Sequence, residues 1–134
     1  MKDFWIDANF ILRFLTGEPQ DLAERALRFI QRAERGEIIL KVTPLVVAEV
    51  VWVLGSFYRY PRIQIAATLI PFLGANGLLV QELQQVVQAL EQMAAANVDF
   101  VDAYLAEIAR QSEGTVASFD RDFRLLDIPW LEPE

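Results

Sequence analysis

Apolar and polar positions follow two different periods along the chain, which predicts strands alternating with helices. Short apolar runs predict strands at residues 4–7, 37–42, 78–80, 115–119 and 128–131, the first of them buried. Apolar positions at helical spacing predict helices at residues 9–16, 19–35, 44–56, 62–73 and 82–96, and one that Asn97 or Asp99 caps and that runs to residue 113. This order predicts an α/β fold, with one three-layer α/β/α domain over residues 1–134 and a central parallel sheet.

The composition excludes several kinds of chemistry. The chain has no cysteine and no histidine, so thiolate nucleophiles, the Ser-His-Asp triad and nearly every zinc site are excluded. No apolar stretch approaches the roughly 20 residues that span a bilayer. A charge stands too early, at Lys2, for a signal peptide, so we expect a cytoplasmic protein with no membrane contact.

The charge of −7 is unevenly distributed, since residues 1–67 sum to +1 and residues 68–134 to −8. An acidic protein repels nucleic acid unless metal ions or a local basic patch compensate. One candidate patch is the stripe of Arg25, Arg28, Arg32 and Arg35, which would contact RNA or an acidic partner. The alternative, which the spacing favours, is a solvated face with pairs such as Glu24–Arg28.

Two aspartates follow predicted strands, where parallel sheets place their ligand sites. These are Asp7 and Asp120, and each has the alternative of capping the helix that follows. Glu49 is the only charge between residues 42 and 54, and its neighbours at helical spacing are apolar. A carboxylate on a buried apolar face is costly, so we expect Glu49 to bind a metal or to pair with an arginine such as Arg13.

Asp102 lies one turn into its predicted helix, with Asp99 three residues earlier on the same face. A local explanation is available: Asp99 caps the helix and Asp102 is favoured by its positive N-terminus. The alternative is a shared site, because clustered carboxylates raise one another's pKa until a divalent cation relieves the repulsion. Magnesium prefers such oxygen ligands, and one or two ions could activate a water against a phosphodiester.

At these acidic residues the chain resembles the PIN-domain nucleases, in particular the VapC-type toxins of toxin–antitoxin pairs. Four segments in order carry the resemblance across nearly the whole chain: residues 6–13 (IDANFILR), 49–50 (EV), 98–106 (VDFVDAYLA) and 118–123 (SFDRDF). It implies that Asp7, Glu49, Asp102 and Asp120 form the catalytic, metal-binding quartet.

The resemblance also implies supporting roles and partners. Asn9 and Ser118 would orient the quartet, and Asp99 and Asp122 match further acidic positions near the site. The implied protein is a Mg²⁺-dependent endoribonuclease, with Mn²⁺ as a possible substitute, that forms a homodimer and is blocked by a cognate antitoxin.

Three other functions stay open or are disfavoured by the residues. A catalytically silent partner-binding protein and a metal-dependent phosphatase stay open. A phospho-acceptor receiver domain would need a lysine late in the chain, whereas the last one here is Lys41. The aromatic residues Trp52, Phe57, Tyr58 and Tyr60 suit either a partner surface or core packing.

Overall fold

The computed structural model describes residues 2–134. Its five strands are β1 (Lys2–Trp5), β2 (Ile38–Val42), β3 (Leu78–Val80), β4 (Val116–Ala117) and β5 (Trp130–Leu131). Its six α-helices are α1 (Ala8–Thr16), α2 (Gln20–Glu34), α3 (Pro44–Ser56), α4 (Arg62–Leu73), α5 (Leu83–Ala96) and α6 (Phe100–Gln111), and Arg121–Leu125 forms a 3-10 helix. Every one of these strands and α-helices was predicted to within two residues at each end, and the α/β fold class is confirmed.

The sheet is parallel and has β2 at its centre. The order is β1-β2-β3, with Phe4 opposite Leu40 and Val42 opposite Val80. β4 and β5 form a second, two-stranded parallel pair. Parallel strands place their carboxyl ends at one edge, so the residues that follow β1, β2 and β3 meet on the same side of the sheet.

The central strand fixes the core. Ile38, Leu40 and Val42 alternate along β2 and are all buried, with Leu40 and Val42 fully inaccessible. The side chains packed with them come from every helix and include Ile11, Ile30, Leu54, Leu69, Leu90 and Ala103. The sheet thus lies between helices as the alternating pattern predicts.

The prediction of a buried first strand is wrong. β1 is an edge strand that ends at Trp5, two residues before the predicted end, and the Trp5 side chain is 58% exposed. The Lys41 ammonium lies 5.2 Å from the centre of the Trp5 ring and 2.9 Å from Asp3 Oδ2. The apolar residues of β1 alone could not distinguish an edge strand from a central one, because both kinds of strand carry aromatic residues.

Two local signals set the positions of α3 and α2. The Thr43 hydroxyl accepts a hydrogen bond of 3.1 Å from the Val46 N–H, and Pro44 begins α3. Gly77, just before β3, has φ of +87°, and a Cβ there would lie 2.4 Å from the Ala33 carbonyl oxygen. Only glycine therefore allows α2 to approach the sheet this closely at its C-terminal end.

Arg110 joins α6 to the segment after β4, and an ion pair with Glu107 within α6 holds it in place. Glu107 is 6% exposed, and Arg110 donates to its Oε1 at 2.5 Å. The same guanidinium donates to the Leu126 carbonyl oxygen at 2.6 Å. This clamp holds the 3-10 helix that follows Asp120 against α6.

None of the helices between residues 2 and 134 combines the length and the apolar character that crossing a membrane requires.

Candidate active site

Asp102 and Asp120 lie together although 18 positions separate them in the chain. They are close enough for a side-chain hydrogen bond when one of them is protonated. Burial raises the pKa of Asp102, and the charges of Asp120, Asp99 and Asp122 raise it further. Residues 2–134 therefore concentrate negative charge around Asp102, and no cation among them lowers its pKa.

The turn after β4 fixes the position of Asp120. Ser118 Oγ accepts a hydrogen bond of 2.9 Å from the Asp120 N–H. Asp120 Oδ1 accepts one of 2.9 Å from the Asp122 N–H at the start of the 3-10 helix. One carboxylate oxygen of Asp120 is thus used to cap the turn, which orients the other.

Asp99 stands at the N-cap position of α6, but its side chain does not cap the helix, since it accepts no hydrogen bond from the helix. The expectation that Asp99 caps α6 is therefore wrong at the level of the side chain. Its charge acts on Asp102 one turn away instead.

Asp7 lies between β1 and α1, and it caps that helix. Its Oδ1 accepts a hydrogen bond of 2.9 Å from the Phe10 N–H. The carboxylate is exposed, and the cap holds it in a fixed direction. Capping and metal binding are compatible here, because a carboxylate has two oxygens.

The argument that Glu49 occupies a costly buried position is wrong. Glu49 is exposed on α3. Its apolar neighbours Leu45 and Trp52 are themselves 80% and 70% exposed, so the apolar face was mistaken for a core face. Nor does Glu49 pair with Arg13 anywhere in the described chain.

Asn9 contacts a cation rather than a carboxylate. Its Oδ1 accepts a hydrogen bond of 2.9 Å from Arg13 one turn later in α1. Within residues 2–134, the structure shows Asn9 positioning Arg13 and shows no bond from Asn9 to any of the four predicted acids.

The four acids lie on connected elements but do not all converge on one point. The helix that carries Glu49 packs against α1, which Asp7 caps, and against α6, which carries Asp102. Among the described residues, no group of three or more acidic side chains is close enough to hold one metal ion together. The structure brings together Asp102 and Asp120, with Asp99 and Asp122 beside them, and leaves Asp7 and Glu49 outside that cluster.

A comparison with protein-family models decides the family. The model described as PIN domain matches residues 5–129. The chain belongs to the PIN domain family. PIN domains are generally nucleases, and they usually use divalent metal ions on a nucleic-acid substrate. No curated protein shows a significant sequence match to this PIN domain.

The donors present in this PIN domain fit a magnesium ion. Asp102 and Asp120 offer hard carboxylate oxygens, and magnesium needs only one or two carboxylates beside its waters and the substrate phosphate. Burial and the neighbouring acidic charges raise the pKa of Asp102, and a bound cation would favour its charged form.

Sequence reasoning missed one pair that also involves α6. The Tyr104 hydroxyl donates a short hydrogen bond to Glu82 Oε1, which joins α6 to the end of β3. Burial and the Glu82 carboxylate raise the pKa of Tyr104 to about 12. The rule that ligand sites follow parallel strands would have found Glu82, since it stands two residues after Val80.

The basic stripe on α2 divides into two halves. Arg32 and Arg35 both contact the Glu37 carboxylate, at 3.4 and 2.7 Å. Arg25 and Arg28 make no ion pair with any residue from 2 to 134. The predicted Glu24–Arg28 pair does not form, because Glu24 Oε1 accepts from Gln20 instead.

Proposed function

We propose that this PIN domain is a magnesium-dependent endoribonuclease and the toxin of a type II toxin–antitoxin pair of the VapC type. The observation that carries the proposal is the uncompensated charge at Asp102 and Asp120, which favours a bound cation. Asp7 and Asp120 lie shortly beyond the carboxyl ends of parallel strands, β1 and β4, and this position supports the same site. RNA, with its phosphodiesters, is the substrate that such a site suits.

In this proposal the acidic residues hold the metal ion, and their neighbours orient them. Asp102 and Asp120 would hold the ion, Asp7 would contribute its free oxygen from the α1 cap, and Glu49 would complete the site through water. Ser118 and the Asp122 N–H fix the turn that presents Asp120. When bound, Mg²⁺ or Mn²⁺ would supply an activated water and neutralise the charge of the scissile phosphate.

The exposed apolar surface of α3 supports a protein partner. Leu45, Trp52 and Phe57 are each at least 70% exposed, whereas Tyr58 and Tyr60 pack partly against the core. Large exposed apolar residues in one region are characteristic of association surfaces. We assign this face to the homodimer or to the antitoxin that would keep the toxin inactive.

The test is cleavage of defined single-stranded RNAs by the purified protein. We expect cleavage with Mg²⁺ or Mn²⁺ and none with EDTA or with Asp7→Asn. Equal activity in all three conditions would overturn the metal-dependent site. A protein that hydrolyses small phosphoesters but not RNA would be a phosphatase, and one that does neither while binding a partner would be catalytically silent.

The toxin role needs a separate test. Expression of the wild-type chain should arrest growth, whereas the Asp102→Asn variant at the same abundance should not. Normal growth with active enzyme would leave the nuclease assignment intact and would reject the toxin role.

A further inference from the structure

A cleft lies between α1 and the first half of α2, beside Asp7. Its volume is about 470 Å³, which is in the range of small-ligand sites. Its polar lining consists of Asp7, Asn9, Arg13 and Arg25, and its apolar lining of Phe10, Leu22, Ala26 and Phe29. This mixture of cations and apolar walls is not used by the acidic cluster described above.

The cleft is cationic in a protein that is otherwise acidic. Arg13 and Arg25 both line it, and neither forms an ion pair with a carboxylate anywhere in the described chain. Asp7, the one acid in the lining, accepts a hydrogen bond at Oδ1 from the Phe10 N–H of α1, and its single negative charge does not balance the two arginines. Since the whole chain carries −7, two unneutralised guanidinium groups in one cleft are a local site for an anion.

Arg13 is fixed in place rather than free to move. Its two terminal nitrogens donate to Asn9 Oδ1 and to the Glu18 carbonyl oxygen, both at 2.9 Å. Its Nε is buried and has no hydrogen-bond partner in the described chain. Arg13 thus presents a fixed positive charge at the wall of the cleft.

The apolar wall identifies the rest of the ligand. Phe10 is partly exposed in the cleft, and Leu22 is 36% exposed, so both present apolar surface next to the two arginines. A phosphate beside an unstacked base has this combination of properties, because the base offers an apolar face and the phosphate a charge. Duplex RNA hides its base faces and would leave the wall exposed.

We propose that the α1–α2 cleft binds one nucleotide of single-stranded RNA next to the phosphodiester that is cut. Arg25 and Arg13 attract its phosphate, and Phe10 and Leu22 contact its base. This inference rests on the proposed function for the nature of the ligand. It accounts for how an acidic nuclease holds a polyanion, and it separates Arg25 from the remainder of the basic stripe.

Binding of a labelled RNA tests the cleft without any cleavage. The probe is a 5′-fluorescein single-stranded RNA of 12 nucleotides that contains all four bases, measured by fluorescence anisotropy in EDTA. We expect Arg25→Gln to weaken binding about threefold to tenfold, as loss of one typical solvent-exposed hydrogen bond does. The slope of log K against log salt should fall by about 0.7.

Matched variants on the same helix control for nonspecific charge and for folding. Arg28 is also exposed and unpaired but does not line the cleft, so Arg28→Gln should change the affinity less than twofold. Leu27→Ala is the equivalent control for Leu22→Ala, because Leu27 is 41% exposed and lies outside the lining. Thermal melting confirms that all four variants fold.

The outcomes separate the cleft from the nuclease assignment. Equal RNA affinity of Arg25→Gln and Arg28→Gln would overturn the cleft proposal, even if the wild type cleaves RNA. Tighter binding of a labelled poly-glutamate peptide than of RNA would also overturn it, since the cleft would then be a protein site. A wild type that binds RNA through Arg25 but never cleaves it would support the cleft and reject the nuclease.

Discussion

The two halves of the predicted acidic quartet are held in opposite ways. Asp102 and Asp120 lie together, and burial and the acidic charges around Asp102 raise its pKa. Asp7 and Glu49 stand apart from that cluster, one as a helix cap and the other on an exposed helix face. A divalent ion would therefore stabilise the fold most where acidic charges crowd around Asp102.

The largest expected effect is on cleavage. Asp102→Asn and Asp120→Asn should each lower the RNA cleavage rate by at least about a hundredfold, because even residues behind a metal's direct ligands are worth up to that much. Glu49→Gln should cost less, since Glu49 lies outside the cluster. Single-turnover rates at saturating Mg²⁺ provide the measurement, and a larger loss for Glu49→Gln would reverse the comparison.

Removing the clamp between α6 and the 3-10 helix tests whether it holds Asp102 and Asp120 together. Arg110→Gln leaves Glu107 buried without its partner and frees the Leu126 carbonyl. We expect the free energy of unfolding to fall by about 1–3 kcal/mol, the usual cost of losing hydrogen bonds to a charged group. Urea denaturation measures it, with the exposed Arg121→Gln as the control. Equal effects of the two substitutions would show that the clamp is not needed.

Magnesium should relieve the strain in the crowded half. At tenfold excess over its Kd, the ion should stabilise the wild type by about 1.4 kcal/mol. Asp102→Asn should melt higher than the wild type in EDTA, because it removes the repelled charge, and should gain nothing from Mg²⁺. Differential scanning fluorimetry with and without Mg²⁺ decides this, and the same gain in both proteins would place the ion elsewhere.

The smallest effect separates the two roles of Asp7. Asparagine caps helices about as well as aspartate, so Asp7→Asn should keep the thermal stability while it abolishes cleavage. Asp7→Ala should lose the cap as well, at a cost of about 1 kcal/mol. If Asp7→Asn melted as low as Asp7→Ala, the cap would depend on the charge and the two roles would not be separable.

The sequence predicted the fold well because its boundaries are marked locally. Thr43 caps α3 and Pro44 begins it, and both signals can be read from the sequence. The assignment of Asp7 and Asp120 to the site, which rests on their positions after strands, stays a prediction. Glu49 was misplaced because α3 is apolar on almost every side, so periodicity could not show which face meets the core. The contact between Asp102 and Asp120 depends on tertiary packing of α6 against β4, which no local spacing encodes.

The cleft was also beyond the reach of the sequence. Arg13 appeared there only as a possible partner for Glu49, and its actual contact with the Glu18 carbonyl depends on the loop between α1 and α2. Spacing grouped four arginines into one stripe, whereas Glu37 neutralises two of them from the loop before β2. The charges counted along a helix do not include ion-pair partners that lie on other segments of the fold.

The close approach at Gly77 links two distant parts of this surface. A methyl group there would push against Ala33, near the C-terminal end of α2. Arg25 lies eight residues earlier on the same rigid helix, about 12 Å away at 1.5 Å per residue. Gly77→Ala would therefore tilt α2 and change the width of the α1–α2 cleft from the opposite end of the helix. Substitutions at position 77 would then change the affinity for RNA although residue 77 does not contact RNA.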